Sequence, residues 1–201
     1  MLLKSLALQK IVNMASAERE EERQAKVASL LKDIRSGEEK SIIEALKALK
    51  VNGDDQVIKP IIKVWNAGVS DLAEQEIITF LGDIKSTTSA DTLMSILLDT
   101  AYNAIHLPLL TTIWNSKVDY SEYIVEFVNL AVKHDFMVSL ECLTIIENME
   151  GPFEEHHILD AEILLREYVD REKDNQNVDD KKFSLILELS KLINSFDERT
   201  M

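Results

Sequence analysis

The densest group of possible metal ligands in the chain is the run Glu154-Glu155-His156-His157, followed by Asp160. On a helix, Glu154 and His157 share one face at i,i+3 spacing, and His156 and Asp160 share one at i,i+4 spacing. Both spacings suit metal coordination. Carboxylates in a first helical turn are also stabilised by the helix dipole, with no metal involved. We expect a solvated helix start here and predict no bound metal; a metal site in this cluster is the alternative.

The dipeptide His134-Asp135 is a second arrangement with metal-binding potential, because His106 lies 28 residues upstream. This separation resembles the His…His-Asp core of metal-dependent phosphohydrolases. Lys133 and Phe136 depart from that family, which has an apolar residue and a short glycine turn in their place. A histidine at a helix end, where it complements the dipole, is the simpler interpretation. A metal-dependent all-α hydrolase or hydroxylase that uses either cluster is the alternative function.

Other catalytic patterns are missing from the sequence. It has no Gly-rich phosphate loop, no pair of cysteines, no HExxH and no GxSxG. The single cysteine, Cys142, cannot form an internal disulfide, and its apolar neighbours predict a buried thiol in a reducing, cytoplasmic compartment. We therefore predict a protein that is not an enzyme and has no cofactor.

The charge balance limits the classes of partner. The chain carries 22 basic and 36 acidic residues, for a net charge of −14. Nucleic acids and anionic membranes would be repelled by this charge, and the sequence contains no compensating basic patch. No stretch approaches the 18 apolar residues of a membrane span. We predict no nucleic acid and no membrane as partners.

Glycine and proline are too scarce for an all-β fold, since turns draw on both and the chain has only five Gly and three Pro. Apolar residues recur at helical spacing instead, so the sequence predicts an all-α fold. Pro60 and Pro108 lie inside such patterns and are expected in a first helical turn or at a kink. Residues 2–35 are predicted as one long helix or two, and residues 170–182 as the longest solvated loop.

The sequence also contains an approximate internal repeat. A shift of 32 residues superposes residues 48–65 on 80–97 and places Trp65 on Leu97. A further unit follows at nearly the same interval, in which Trp114 ends one helix. Such a period is typical of stacked helix pairs. Both tryptophans fall near helix ends, and we predict that they pack in the core or between repeats rather than anchor a ligand.

These segments resemble the HEAT and armadillo-like α-solenoid families. The resemblance rests on Ala-Leu-Lys-Ala-Leu at 45–49 followed by Val-Ile-Lys-Pro-Ile-Ile at 57–62, and on Phe-Leu-Gly-Asp-Ile at 80–84 followed by Asp-Thr-Leu-Met-Ser-Ile-Leu at 91–97. It implies a right-handed α-solenoid of about four to five HEAT-like helix hairpins with helical caps. Such folds mostly scaffold or recognise other proteins.

Two kinds of enzyme resemble this architecture. HEAT-like hydroxylases with di-iron sites use several His-Glu dipeptides, and none occurs here. HEAT-like DNA glycosylases depend on a basic groove, whereas residues 102–150 hold two lysines and seven acids. Neither resemblance extends beyond the fold.

The resemblance, together with the glycines and polar segments that separate the predicted helices, gives a domain organisation. Residues 1–36 are predicted as an N-terminal helical cap and residues 37–171 as HEAT-like repeats. Residues 172–201 are predicted as a polar loop and a C-terminal capping helix.

The predicted function is a non-enzymatic interaction or scaffolding module that binds a protein or peptide. In this family type the second helix of each pair lines the concave face, and those helices begin near residues 54, 89, 119 and 153. Their polar stripes turn acidic after the first pair, which favours a basic or mixed-charge segment as the partner. The predicted partner-binding residues are Lys59, Lys63, Asp91, Ser95, Asp99, Glu122, Glu126, Asn129, Glu155, Glu162 and Arg166.

Overall fold

A computed structural model describes the backbone of residues 2–53, 55–83, 87–116 and 118–200, and the side chains of residues 16–51, 53, 55–83, 89–116 and 118–196. Ten α-helices and no strand occur in this described part, so the predicted all-α class is confirmed. The helices are α1 (Leu2–Arg35), α2 (Glu39–Asn52), α3 (Ile58–Asn66), α4 (Asp71–Gly82), α5 (Thr87–Leu97), α6 (His106–Asn115), α7 (Ile124–Lys133), α8 (Phe136–Glu147), α9 (Glu155–Glu172) and α10 (Asp180–Thr200). Short 3₁₀ turns, Asp55–Val57, Thr100–Ile105 and Ser121–Tyr123, lead into α3, α6 and α7.

A single helix, α1, covers the region for which the sequence left one or two helices open. Pro60 is the third residue of α3 and Pro108 the third of α6. Both prolines therefore lie in a first turn, where a missing N–H breaks no helical hydrogen bond, as predicted.

The chain forms two compact units, residues 1–80 and 81–201. In unit 1, α1 packs against α2 and α3. Trp65 is 3% exposed, and its indole N–H donates to the Glu74 carboxylate at 2.8 Å. The prediction that Trp65 belongs to the core is confirmed.

Unit 2 contains α5 to α10, and its later helices contact one another in a regular pattern. Helix α8 packs against both α6 and α10, α7 packs against both α8 and α9, and α9 packs against α10. The buried positions recur every three or four residues, as expected for helices that bury one face. The core includes Leu109, Ile113, Ile124, Phe127, Val128, Ala131, Cys142, Ile146, Ile158, Ala161, Leu165, Ile186, Leu189, Ile193 and Phe196.

The solvated loop is shorter than predicted. Helix α9 continues to Glu172 and α10 begins at Asp180, so only residues 173–179 lie between them. Charged residues form helices readily, and the Lys173 ammonium lies 2.8 Å from the Asp170 carboxylate across the end of α9. The low apolar content of residues 170–182 therefore indicates solvent exposure and does not by itself show where the helix ends.

None of the helices in the described residues combines the length and the apolar character needed to cross a bilayer. One pair of segments, Ser89–Leu97 and Thr100–Asn115, passes such a test only when the two are taken together, and it is bent by 97°.

Candidate acidic interaction surface

Three of the predicted partner-binding acids surround one tyrosine of unit 2. Asp91 lies on α5, Glu122 precedes Tyr123 in the 3₁₀ turn before α7, and Glu126 lies in the first turn of α7. The Tyr123 hydroxyl donates a hydrogen bond to the Asp91 carboxylate. We call Asp91, Glu122, Tyr123 and Glu126 the acidic cluster.

The pKa of Tyr123 reflects the negative charge of the acidic cluster. Partial burial raises the pKa of Tyr123 well above its usual range, and the hydrogen bond to Asp91 acts in the same direction. The negative charges of Asp91, Glu122 and Glu126 raise this pKa further. The three carboxylates therefore act on one point, where they create a negative potential.

A short hydrogen-bond network holds the turn that carries the cluster. The Asp119 carboxylate accepts from the Ser121 backbone N–H at 3.0 Å and from the Ser121 hydroxyl at 2.6 Å. The Gly151 N–H donates in turn to the Ser121 hydroxyl oxygen at 3.2 Å. Gly151 has φ of +79°, a conformation that favours glycine. The segment before α9 is thus tied to the segment before α7.

Two cavities flank this network, and Asp119 lines both of them. The first, which we call the acidic cavity, measures about 290 Å³ and is lined by Glu122 of the acidic cluster, by Glu154 and by His157. Its other lining residues are Ala90, Ser121 and Pro152. The acidic cluster therefore continues into a concave surface that bears further carboxylates.

The second cavity, the Trp114 cavity, measures about 380 Å³ and lies where α6 and α8 end. Trp114 is 45% exposed and forms part of its wall, so it does not lie in the core, the first of the two alternatives predicted for it. Its exposure follows from its position next to the last residue of α6, Asn115, beyond the buried Ile113. Tyr120, Asp119 and Glu150 also line this cavity.

Glu154, His156 and His157 form the one group of three metal-ligand side chains in the described residues whose donor atoms all lie within 4.8 Å of one another. His156 Nδ1 is 3.3 Å from Glu154 Oε2. That separation is close to the ~3.3 Å expected between two ligand atoms around tetrahedral Zn²⁺. The imidazole rings of His156 and His157 lie 4.1 Å apart.

Solvent exposure weakens this group as a metal site. Glu154 and His156 are exposed and His157 is half-buried. The positive end of the α9 dipole also opposes a cation at this point. Asp160, the fifth residue that the sequence offered, lies exposed on α9 outside the group. The arrangement can hold a divalent cation only with water completing the coordination.

The dipeptide His134-Asp135 has a structural role. The Asp135 carboxylate accepts from the Val138 N–H at 3.1 Å and caps α8, while His134 follows the last residue of α7. The interpretation of His134 as a helix-end residue is confirmed. Its ring packs edge-on at 5.2 Å against His106, which is buried.

The other predicted partner-binding residues of unit 2 are not members of the acidic cluster. The Ser95 hydroxyl donates to the Thr92 carbonyl of its own helix, and the Asp99 carboxylate accepts from the Ala101 N–H. Glu162 and Arg166 line a groove of about 230 Å³ with residues of α10. Asn129 is half-buried on α7, and Glu155 is exposed at the start of α9.

Lys59 and Lys63 lie in unit 1, on the wall of a cavity of about 630 Å³. Arg35, from the last turn of α1, joins them there. No carboxylate is among the described lining residues, so this cavity is basic. The sequence reasoning missed Arg35, although its position at a helix end, two residues before Gly37, was visible.

Sequence reasoning also missed Tyr123 and Asp119. Tyr123 lies 32 residues after Asp91, the same interval as the sequence repeat, so that interval was a usable signal for their contact. Asp119 was recognisable as a helix-start residue, but its place between two cavities depends on Gly151, which comes much later in the chain.

Comparisons with known proteins assign no family to this chain. No family model matches it, and neither a curated protein nor a solved structure matches it.

Proposed function

We propose that this chain is a non-enzymatic protein-interaction module that binds a basic or mixed-charge segment of another protein on the acidic surface of unit 2. The observation that carries the proposal is the convergence of Asp91, Glu122 and Glu126, from two helices and a turn, on Tyr123.

Clustered carboxylates of this kind cost stability when no cation is nearby. Like charges that share a site repel, and each unneutralised carboxylate lowers the stability of the folded state. Among the described residues, no basic side chain forms an ion pair with Asp91, Glu122 or Glu126. A cationic partner would relieve this repulsion, and its approach would be steered by the field of a chain with net charge −14.

We propose a right-handed α-solenoid of about four to five HEAT-like hairpins, with the acidic cluster on its concave face. The layering of α6, α8 and α10, and of α7 and α9, supports a stack within unit 2.

Hydrogen bonds at the interval of the sequence repeat also support this arrangement. Ser70 donates to Glu39 across 31 residues, Tyr123 to Asp91 across 32, and Gly151 to Ser121 across 30. Contacts separated by one repeat are what stacked neighbouring repeats produce.

The proposed partner is a protein rather than a nucleic acid or a lipid surface. A polyanion would have to approach three carboxylates that form no ion pair among the described residues, and like charges repel. The buried Cys142 thiol, whose pKa is raised by burial, is consistent with the proposed reducing, cytoplasmic location.

A metal-dependent hydrolase or hydroxylase is a second candidate function, favoured by one observation, the proximity of Glu154, His156 and His157. Asp135 gives it less support, because its carboxylate is engaged as a helix cap. A hydrolytic metal centre also needs a dry, shaped cavity with ligands oriented by neighbouring groups. The exposed Glu154 and His156 lack that setting.

The proposal is tested by capturing partners from the native host with the intact chain and with two charge-swapped variants. The variant with Glu122→Lys and Glu126→Lys reverses the net charge of the acidic cluster. Glu167→Lys with Glu188→Lys changes the net charge equally at exposed positions of α9 and α10. Partners identified by quantitative mass spectrometry should be lost from the first variant and kept by the second. Equal loss from both, or from neither, would contradict the proposed site.

A further inference from the structure

The Trp114 cavity combines an exposed aromatic ring with negative charge. Trp114 lies at its wall, with Asp119 and Glu150 as the two lining carboxylates, both exposed. The volume of about 380 Å³ falls at the lower end of the range of small-ligand sites. None of the described lining residues is basic.

Helix dipoles add to the negative potential. The wall is built from residues at and just beyond the ends of α6 and α8, among them Ser116 and Asn148. A helix C-terminus carries about half a unit of negative charge, and two of them meet at this cavity. A cation placed here interacts favourably with both helix ends and with both carboxylates.

The wall of the cavity has acceptor atoms that remain open to a ligand. The Ser116 hydroxyl donates to the Ile113 carbonyl at 2.8 Å, and the Asn148 amide donates to the Thr144 carbonyl at 2.7 Å. Asp119 uses only Oδ1 for its described bonds to Ser121. A ligand with N–H donors can therefore bind to the open oxygens of this wall.

Tyr120 gives an independent sign that the site lacks a partner. Its side chain is 3% exposed, and its hydroxyl forms no hydrogen bond of normal geometry among the residues described. Burial raises the pKa of Tyr120 to about 12, and the nearby Ser116 hydroxyl opposes the shift in part. Buried polar groups are nearly always paired, and a phenol oxygen can accept an N–H from a ligand.

From these groups we infer that the Trp114 cavity is a pocket for an arginine side chain of a protein partner. A guanidinium presents five N–H donors in a plane, stacks on an indole face and pairs with carboxylates through two parallel bonds. An ammonium offers neither the plane nor the fork. The inference rests on the proposed function, because it names the side chain that the basic partner would insert.

The location of the cavity fits an extended peptide. Asp119 lines both the Trp114 cavity and the acidic cavity, and Glu122 connects the acidic cavity to the acidic cluster. A basic segment could therefore place one arginine beside Trp114 while further cations face the cluster. The pocket would give specificity, and the cluster a general attraction that salt weakens.

The test uses N-acetyl-arginine amide as the probe, with the neutral isostere N-acetyl-citrulline amide and the lysine analogue for comparison. Binding to the full ¹⁵N-labelled chain is followed by the two tryptophan indole N–H signals, assigned with Trp114→Phe. We expect a saturable shift of the Trp114 signal with the arginine probe and none with the citrulline probe. The Trp65 signal, from a buried indole bonded to Glu74, is the internal reference.

Two variants test whether the arginine probe binds in the Trp114 cavity. Glu150→Gln should weaken the arginine probe about threefold, the effect of removing one exposed charge pair. Glu188→Gln, an exposed position on α10, should leave it unchanged. Equal shifts with arginine and citrulline, tighter binding of the lysine probe, or no effect of Glu150→Gln would overturn the inference.

A basic peptide separates this inference from the proposed function. Glu122→Lys with Glu126→Lys should weaken a peptide that contains several arginines and lysines but leave the single arginine probe within twofold. One outcome is that Glu122→Lys with Glu126→Lys weakens the peptide while Glu150→Gln leaves the affinity of the arginine probe unchanged. In that case the pocket inference fails and the proposed function stands. If the probe behaves as expected but no basic peptide depends on the cluster, the proposed function fails alone.

Discussion

His106 is a buried titratable residue of unit 2 that no proposed interaction uses. It is 5% exposed, and its Nε2 has no hydrogen-bond partner among the residues described. Burial lowers its pKa, the neighbouring His134 acts in the same direction, and the Leu97 carbonyl opposes both. Folding therefore favours the neutral form of His106.

This lowered pKa predicts an acid-sensitive stability. Below the unfolded-state histidine pKa of about 6.5, the unfolded chain binds a proton that the folded His106 resists. His106 should therefore have no effect on the free energy of unfolding well above pH 6.5. As the pH falls below 6.5, this free energy should decrease by at most about 1.4 kcal/mol per pH unit for this group. Denaturant titrations of the intact chain at several pH values measure the slope.

Two histidine variants serve as controls for this slope. His106→Phe should flatten it, whereas His156→Gln, at an exposed position, should not. The same slope in both variants would show that His106 is not its source.

At single residues, sequence reasoning succeeds where burial follows from immediate neighbours. Cys142 and Trp65 lie on apolar helix faces, and both are buried as predicted. Trp114 has a similar local pattern but is exposed. It lines a cavity whose other walls come from the end of α8 and from residues 148–151. Local periodicity carries no information on how those later segments pack.

Lys182 connects three helices of unit 2. Its ammonium donates to the carbonyls of Val132 and His134 at the end of α7, and lies 5.0 Å from the centre of the Tyr168 ring on α9. A cation at a helix C-terminus satisfies carbonyls that lack helical partners. Lys182 itself lies in the first turn of α10, so it joins elements about 50 residues apart.

We predict that Lys182→Met lowers the free energy of unfolding by about 1–2 kcal/mol, because two charge-assisted hydrogen bonds are lost from a half-buried site. Lys181→Met, at the exposed neighbouring position, should change it by less than about 0.5 kcal/mol. Chemical denaturation of both variants measures the difference. Equal effects would mean that the contacts with α7 do not contribute to stability.

Helices could be predicted more reliably than their arrangement. The windows around Ile58, Ile124 and Ile158 became helices because apolar residues at three- and four-residue spacing must share a buried face. The loop at residues 170–182 was predicted too long, since exposed charged residues continue a helix as readily as they form a loop. The hydrogen bonds at 30–32-residue separation depend on how the helices pack against one another, and the sequence contains only an approximate repeat from which to predict that packing.

The proposed function needs no metal, and this can be measured on the whole protein. A cation bound at the Glu154, His156 and His157 group of the folded chain would stabilise it, so chelation lowers the melting temperature only if such a cation is bound. We predict that the purified, dialysed chain carries far less than one equivalent of zinc and that EDTA leaves its melting temperature unchanged. Stoichiometric metal after dialysis, or a melting temperature several degrees lower in EDTA, would favour the metal-dependent alternative.

The most direct test of the central claim is a ¹H–¹⁵N NMR titration of the full chain with a mixed arginine and lysine peptide at two salt concentrations. We predict saturable shifts centred on the amides of Asp91, Glu122, Tyr123 and Glu126, with weaker binding at higher salt. Shifts centred on the basic cavity at Lys59 and Lys63, or scattered evenly over exposed acids, would contradict it.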